Sequence, residues 1–175
     1  MGKRSSFERK PRDYYPTIDP RAVRALAPFL AAETQFIEPC AGAFDLAALL
    51  IAAGHLCMDA MDIEPAAPGI RQGDALQLQS QPYSIITNTP WRRDLLHPMI
   101  EHFVTAAPEA WLLIDANWFH TLQAAPLLQH CTDYVSIGRL HWERDRPISG
   151  KDDAAWYRFE LGGNGKGIRA WPINR

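Results

Sequence analysis

The sequence predicts a doubly wound α/β domain: a mostly parallel sheet of about seven strands, closed by an antiparallel hairpin at its C-terminal end. Three observations predict it. Short apolar runs rich in β-branched and aromatic residues recur from Phe36 to Trp142 and alternate with stretches of helical period. Several of these runs stop at a polar residue with Pro or Gly close behind, as strands do where the chain turns into a crossover. The last two runs are joined by a polar loop, Glu143 to Asp153, with no helical pattern, so the chain returns antiparallel.

The elements follow in order. Met1 to Arg12 is polar and basic, and is expected to be a flexible N-terminus of residues 1–12. Tyr15-Pro16 is an extended dipeptide, because Pro disfavours a helical predecessor. Asp19 or Thr17 can cap a helix from Pro20 to Ala32, with its apolar stripe on Val23, Leu26, Ala27 and Leu30 and a kink at Pro28. Gln35 to Leu46 reads as a strand, a tight turn and a helix start; Asp45 caps Leu46 to Ala53, and Gly54 closes it. His55 to Met61 is a second strand ending at Asp62-Ile63-Glu64-Pro65. A short third strand precedes Gly73-Asp74-Ala75-Leu76, and Ser84 to Thr87 is a buried fourth. Asp94 to Ala106 is an amphipathic helix, Ala110 to Asn117 a fifth strand, Thr121 to His130 a helix and Tyr134 to Trp142 a sixth strand. Ala154 to Leu161 completes the hairpin, so the domain spans residues 13–161. Residues 162–175 form a Gly-rich turn and tail.

Composition bounds the function. At 175 residues with 47% apolar and 22% charged, the chain can bury a full core and is neither disordered nor fibrous. No apolar run approaches a membrane span and the basic N-terminus lacks the apolar core of a signal peptide, so the expectation is a cytoplasmic protein without membrane contact. Cys40, Cys57 and Cys131 are odd in number and lack Cys-x-x-Cys spacing, which favours reduced thiols over disulfides or structural zinc. His120, His130 and His141 share no ligand spacing, so no metal is assigned. Residues 1–24 carry +4, residues 25–138 carry −9 and residues 139–175 carry +3. Basic ends around an acidic middle suit contact with a polyanion or plain solvation.

Chemistry concentrates where strands end, since ligands of open α/β sheets sit at the strands' carboxyl edge. Asn88-Thr89-Pro90-Trp91 follows the fourth strand. The first ends at Glu38-Pro39-Cys40-Ala41-Gly42. Asp62 lies 20 residues after Gly42, the usual distance to an acid that takes ribose hydroxyls, with Asp59 as its competitor inside the strand. A nicotinamide-type Gly-x-Gly-x-x-Gly is absent, and Gly162 to Gly167 is no phosphate loop, because neither Ser nor Thr follows Lys166.

Asn88-Thr89-Pro90-Trp91 resembles the Asn/Asp-Pro-Pro-aromatic tetrapeptide of S-adenosylmethionine-dependent amino-methyltransferases, in particular the phage and bacterial adenine-amino type with its Rossmann-like fold. The resemblance extends to the aromatic-Pro-Thr opening (Tyr15, Pro16, Thr17), the Glu38 to Gly42 loop, Asp62-Ile63, Asp74-Ala75 and the stretches Gly138 to Trp142 and Gly150 to Phe159. It implies S-adenosylmethionine as cofactor. Tyr15, Pro16 and Thr17 then lie across its methionine end, and Glu38, Pro39, Cys40, Ala41 and Gly42 line its amino-acid part. Asp62 and Ile63 hold the ribose, and Asp74 and Ala75 the adenine. Asn88 and the carbonyl of residue 89 grip the acceptor amine; an amine conjugated into a ring is a poor nucleophile, and two acceptors on its hydrogens favour a tetrahedral nitrogen. Trp91 stacks on the base. Arg92, Arg93, Asn117, Trp118, Lys151 and Asp152 are placed on the substrate side. The implied function is methyl transfer to the exocyclic amine of adenine in nucleic acid, DNA rather than RNA. The alternatives are a glutamine-amide protein methyltransferase, and an inactive cofactor-binding module for nucleic acid or phage assembly. The departures are Thr89, where the family has Pro, and Phe44, where a second Gly is usual.

Overall fold

The apolar runs assemble into one sheet of eight strands in a computed structural model that describes residues 15–143, 150–163 and 165–173. The strands are β1 (Gln35–Glu38), β2 (Leu56–Asp62), β3 (Arg71–Gln72), β4 (Ser84–Asn88), β5 (Ala110–Asp115), β6 (Cys131–Arg139), β7 (Asp153–Phe159) and β8 (Arg169–Trp171), in the order β3-β2-β1-β4-β5-β7-β6-β8. The first five run parallel, and β7 is antiparallel to both β5 and β6. The strand order reverses between β1 and β4, and such a switch point opens a crevice beyond the carboxyl ends of those two strands. The expected doubly wound, mostly parallel sheet with its C-terminal hairpin is the observed architecture, with β7 inserted between β5 and β6.

Among the described residues four α-helices cover the sheet: α1 (Arg21–Leu26), α2 (Asp45–Ala52), α3 (Arg93–Ala106) and α4 (Ala125–Leu128). On one face, Leu96, Ile100 and Phe103 of α3 meet Ile85, Leu112 and Ile114. On the other, Val23 and Leu26 of α1 and Leu46 and Leu50 of α2 meet Phe36, Ile86, Leu113 and Trp156. Fully burying one such side chain contributes about 1.5–3 kcal/mol. The buried Trp156 indole also donates to the Ala22 carbonyl at 2.8 Å, fixing α1 to β7.

Several elements differ from the sequence expectation. The first helix stops at Leu26 and tightens into a 3₁₀ turn over Ala27–Phe29, because Pro28 has no N–H to continue it. The strict alternation also fails. Residues 63–70 join β2 to β3 without a helix, and only a 3₁₀ turn, Ala75–Gln77, lies between β3 and β4. The helix expected over Thr121 to His130 shrinks to α4, and β6 begins at Cys131 rather than Tyr134. An eighth strand, β8, pairs parallel with β6. Its anchor is Asp133, 1% exposed, whose carboxylate accepts from Arg169 at 2.9 Å and from the Trp171 indole at 3.1 Å. Among the described residues no helix is long and apolar enough to cross a membrane. The basic stretch 1–12 lies outside the described residues.

Candidate active site at the switch point

The loop after β1 is shaped by backbone hydrogen bonds rather than by a glycine pair. The Ala41 amide donates to the Met61 carbonyl at 2.9 Å, and the Ala66 amide donates to the Gly42 carbonyl at 2.8 Å. Gly42 has φ 52°, and Phe44 has φ 73°. Phe44 therefore adopts the left-handed conformation that glycine takes freely, at a cost of about 1–2 kcal/mol, and its half-buried ring packs on the α2 face of the core. The departure from Gly changes the residue and keeps the turn.

Phe44 also stands at the N-cap of α2, where its side chain satisfies no amide. The cap comes instead from Glu38, whose Oε2 accepts from the Ala47 amide at 2.9 Å. This replaces the expected Asp45 cap; the strand end delivers a longer carboxylate straight under the helix N-terminus. Glu38 is 2% exposed, and burial holds its carboxyl well above the usual carboxylate range; the Ala47 amide opposes that shift, and Asp62 and Asp45 add to it.

Asp62 ends β2 beside this loop. Its Oδ2 accepts from the Gly42 amide at 2.7 Å and its Oδ1 from the Glu64 amide at 2.9 Å. Two backbone donors thus fix the orientation of a carboxylate that has about four acceptor positions in all. The rival Asp59 is paired with Arg71. Ile63 is 58% exposed, an apolar side chain held at the crevice edge. Asp74 caps the following 3₁₀ turn by accepting from the Leu76 amide at 2.9 Å, and Ala75 beneath it is buried. Pro39 is buried and Cys40 half-buried, its thiol pushed far up by burial and by nearby Asp62, which disfavours the thiolate.

At the end of β4, the Asn88 Nδ2 donates to the Tyr15 carbonyl at 2.9 Å, which ties the extended Tyr15-Pro16-Thr17 segment to the tetrapeptide. The carbonyl can only accept, so this bond also assigns the amide: Oδ1 faces the other way. Among the described residues that oxygen is buried without a hydrogen-bond partner, and so is the Thr89 hydroxyl of a residue 3% exposed. Pro90 is half-buried. The Trp91 indole donates to the Leu113 carbonyl at 3.1 Å and meets Trp142 edge-on at a centroid distance of 5.8 Å. Trp142 in turn lies edge-on to Tyr15 at 6.3 Å. Trp142 thus completes an aromatic wall joining segments far apart in sequence, a role no local pattern around it announces.

The substrate-side residues divide. Arg92 and Arg93 are exposed at the start of α3; Arg92 pairs with Asp94, and Arg93 donates to the Gln123 Oε1 at 2.6 Å. Lys151 and Asp152 are exposed just before β7, next to the end of β5, where Asp115 stands opposite Ala154. Asn117 is exposed, its amide bonded to the Asp115 Oδ1 at 2.9 Å, and burial raises the Asp115 pKa against that bond. Trp118 lies elsewhere. It is 4% exposed, donates to His97 Nε2 at 3.1 Å and packs edge-on to Tyr157 at 5.3 Å, beneath α3. The 3₁₀ turn over Ala116–His120 rotates it from the mouth into the core, where the sequence expectation of a continued strand had kept it at the edge. Among the described residues no group of His, Cys, Asp and Glu is arranged to hold a metal ion.

No protein-family model matches the chain, and no curated protein matches it by sequence. Solved structures do match its fold. A "putative RNA methyltransferase" from Pyrococcus horikoshii superposes with a TM-score of 0.59 at 15% identity, over 90% of this chain and 93% of that one. A TehB-like S-adenosylmethionine-dependent methyltransferase from Corynebacterium glutamicum gives 0.52 at 14% identity, over 82% and 88%. The 23S rRNA methyltransferase ErmE gives 0.52 at 13% identity, over 80% of this chain and 66% of that one. The chain has the Rossmann-like fold of S-adenosylmethionine-dependent methyltransferases.

Proposed function

We propose that this chain is an S-adenosylmethionine-dependent amino-methyltransferase acting on the exocyclic amine of adenine in nucleic acid. The observation that carries the reading is the Asn88 amide: its nitrogen is satisfied by Tyr15, and its oxygen is buried and unpaired at the sheet's switch point. Buried polar atoms are almost always paired, and an unpaired acceptor costs about 1–3 kcal/mol, so this one awaits a donor. A planar amine supplies two N–H donors, one for Asn88 Oδ1 and one for the Thr89 backbone carbonyl.

The crevice residues fit the cofactor. Asp62 is oriented by two amides for the ribose hydroxyls, exposed Ile63 offers an apolar face to the adenine, and Asp74 and Ala75 stand at its amino edge. The buried Glu38 lies beneath the loop that takes the methionine end, which Tyr15, Pro16 and Thr17 cover. S-adenosylmethionine supplies an electrophilic methyl group when bound. The protein's own contribution is positioning: Asn88 and Thr89 draw on the amine hydrogens and localise the nitrogen lone pair, while the burial around Thr89 keeps water from competing. Arg92 and Arg93, exposed at the mouth, suit the phosphates flanking the target base. Two of the compared structures are named for RNA, which supports RNA as readily as DNA for the polymer.

Calorimetry with S-adenosylhomocysteine, then transfer of labelled methyl to DNA, RNA and protein, tests the proposal. Cofactor binding with label on nucleic acid at the adenine amine is expected. Label on protein glutamine would reassign the substrate, and binding without transfer to any polymer would reduce the chain to a cofactor-binding module.

A further inference from the structure

One segment crosses the carboxyl edge of the sheet and is fastened at both ends. Tyr15 to Asp19 belongs to no helix or strand. At its start, the Tyr15 carbonyl accepts from Asn88 Nδ2 at 2.9 Å, and the Tyr15 ring lies edge-on to Trp142 at 6.3 Å. At its end, Asp19 is 6% exposed, and its Oδ2 accepts from the His141 amide at 3.0 Å and from Arg21 Nη2 at 2.6 Å. The same Nη2 donates to the Arg139 carbonyl at 2.9 Å. The strap therefore runs from the end of β4 to the end of β6, three strand spacings or roughly 14 Å, past the edge of β5 and β7. Thr17 in its middle is 3% exposed, so the strap lies against protein along its length.

Asn88 gives the strap a chemical consequence, because its amide has two orientations. With Nδ2 on the Tyr15 carbonyl, Oδ1 is presented as an acceptor. Turned over, Oδ1 would meet the carbonyl oxygen, acceptor against acceptor, and Nδ2 would meet an incoming amine, donor against donor. One backbone carbonyl thus selects the orientation that can hold an N–H, and the strap sets where that carbonyl lies. On the proposed reading the same strap covers the methionine end of the cofactor. A cofactor that holds the strap down holds Asn88 in its accepting orientation. An amine on Oδ1 in turn holds Asn88 to the strap, and a hydrogen-bonded chain polarises each of its members in the same sense. Coupling of this kind is reciprocal.

We propose that the strap from Tyr15 to Asp19 couples the two ligands of the site, so that cofactor and acceptor amine each strengthen the binding of the other through the bond between Asn88 and the Tyr15 carbonyl. Asp19 is the positioning residue that anchors the strap at its far end. The inference rests on reading the crevice as a site for S-adenosylmethionine and Asn88 as the grip on the amine. One neutral hydrogen bond sets the size of the effect, about threefold to tenfold in affinity.

The test uses the full chain, a labelled oligoadenylate and S-adenosylhomocysteine, which has no sulfonium methyl to transfer. Fluorescence anisotropy gives the oligoadenylate affinity with and without saturating S-adenosylhomocysteine, and calorimetry gives the converse. Each ligand is expected to tighten the other by the same factor, about threefold to tenfold. Asn88→Asp keeps an oxygen for the amine and sets a second one against the Tyr15 carbonyl, so it should bind either ligand alone and show no mutual gain. Asp19→Ala should lose the gain as well, and Asp19→Asn, which keeps an oxygen for the His141 amide, should recover it. A merely structural Asp19 would lower both affinities and leave the gain intact. Independent binding of the two ligands in the parent overturns the proposal, as does a parental gain in Asn88→Asp or in folded Asp19→Ala; should Asp19→Ala fail to fold, Asn88→Asp decides. The two readings fail separately. Mutual gain lost in Asn88→Asp, with no methyl transfer to any polymer, would leave the strap standing and sink the enzyme; methyl transfer to nucleic acid with independent binding would do the reverse, and an oligoadenylate that binds under neither condition overturns both.

Discussion

Substituting Asn88 by Ala separates its part in holding the fold from its part in chemistry. The structure sets both magnitudes. The Nδ2 bond to the Tyr15 carbonyl, at 2.9 Å, contributes about 0.5–1.5 kcal/mol to stability. The unpaired Oδ1 costs about 1–3 kcal/mol in the same residue. Asn88→Ala removes both, and the two largely cancel, so stability should stay within about 1–2 kcal/mol of the parent. For a chain of this size each kcal/mol moves the melting temperature by about 2–4 °C. Turnover should fall much further. If Oδ1 accepts from the amine most strongly in the transition state, its loss should lower kcat by about 10²–10³, as for one oxyanion-type donor. The assay is labelled-methyl transfer at saturating cofactor, with S-adenosylhomocysteine affinity and melting temperature measured on the same samples. The reasoning is refuted by full turnover in Asn88→Ala, or by turnover and cofactor affinity falling in step, which would make Asn88 a cofactor or folding residue. Thr89→Pro is the companion. The Thr89 hydroxyl is buried and unpaired, so Pro forfeits no side-chain bond, keeps the carbonyl and stiffens the loop. Turnover should rise; a parent that binds cofactor and transfers nothing, with Thr89→Pro equally inert, sinks the enzyme reading.

Three further outcomes follow from the site. Asp62→Ala should abolish calorimetric cofactor binding and also cost stability, because the Gly42 and Glu64 amides are left without their acceptor; unchanged affinity would move the ribose role to Asp59. Arg92→Ala together with Arg93→Ala should flatten the salt dependence of nucleic-acid binding by about one unit of log–log slope for each phosphate no longer neutralised, leaving cofactor affinity alone; salt-insensitive binding in the parent would count against a nucleic-acid target. Glu38 has a raised pKa in the folded state, so the folded chain keeps a proton that the unfolded chain has released, and stability falls as pH rises above the unfolded value of about 4.3. Glu38→Gln keeps the acceptor for Ala47 and should be more stable than the parent at neutral pH, with the difference vanishing below about pH 4 in denaturant titrations; a pH-independent difference would refute the buried protonated carboxyl.

The sequence by itself determined the architecture and the strand ends at which the candidate site residues lie. Strand runs such as Ser84 to Thr87 and Ala110 to Asp115 are buried on both faces, so their apolar character is continuous and their ends are marked by Asn88 and Asp115, where polarity returns. That Asp62 meets the Gly42 loop, at 2.7 Å, was legible because their distance in sequence reflects one strand-helix-strand unit of fixed size. Short-range signals of this kind survive in one dimension.

What the tertiary structure decided depends on partners distant in the chain. Glu38 rather than Asp45 caps α2, because a residue nine positions away reaches the Ala47 amide first. Trp118 turns into the core because His97 and Tyr157, from α3 and β7, offer its indole a bond and a face. Trp142 walls the site through Trp91 and Tyr15, and β8 exists because Asp133 holds Arg169 and Trp171. The unpaired oxygen of Asn88 became visible only once the Tyr15 carbonyl, 73 residues away, had fixed which way the amide points. Periodicity and turn chemistry are local and additive, whereas a hydrogen bond or ring contact exists only when folding brings both of its halves to one place.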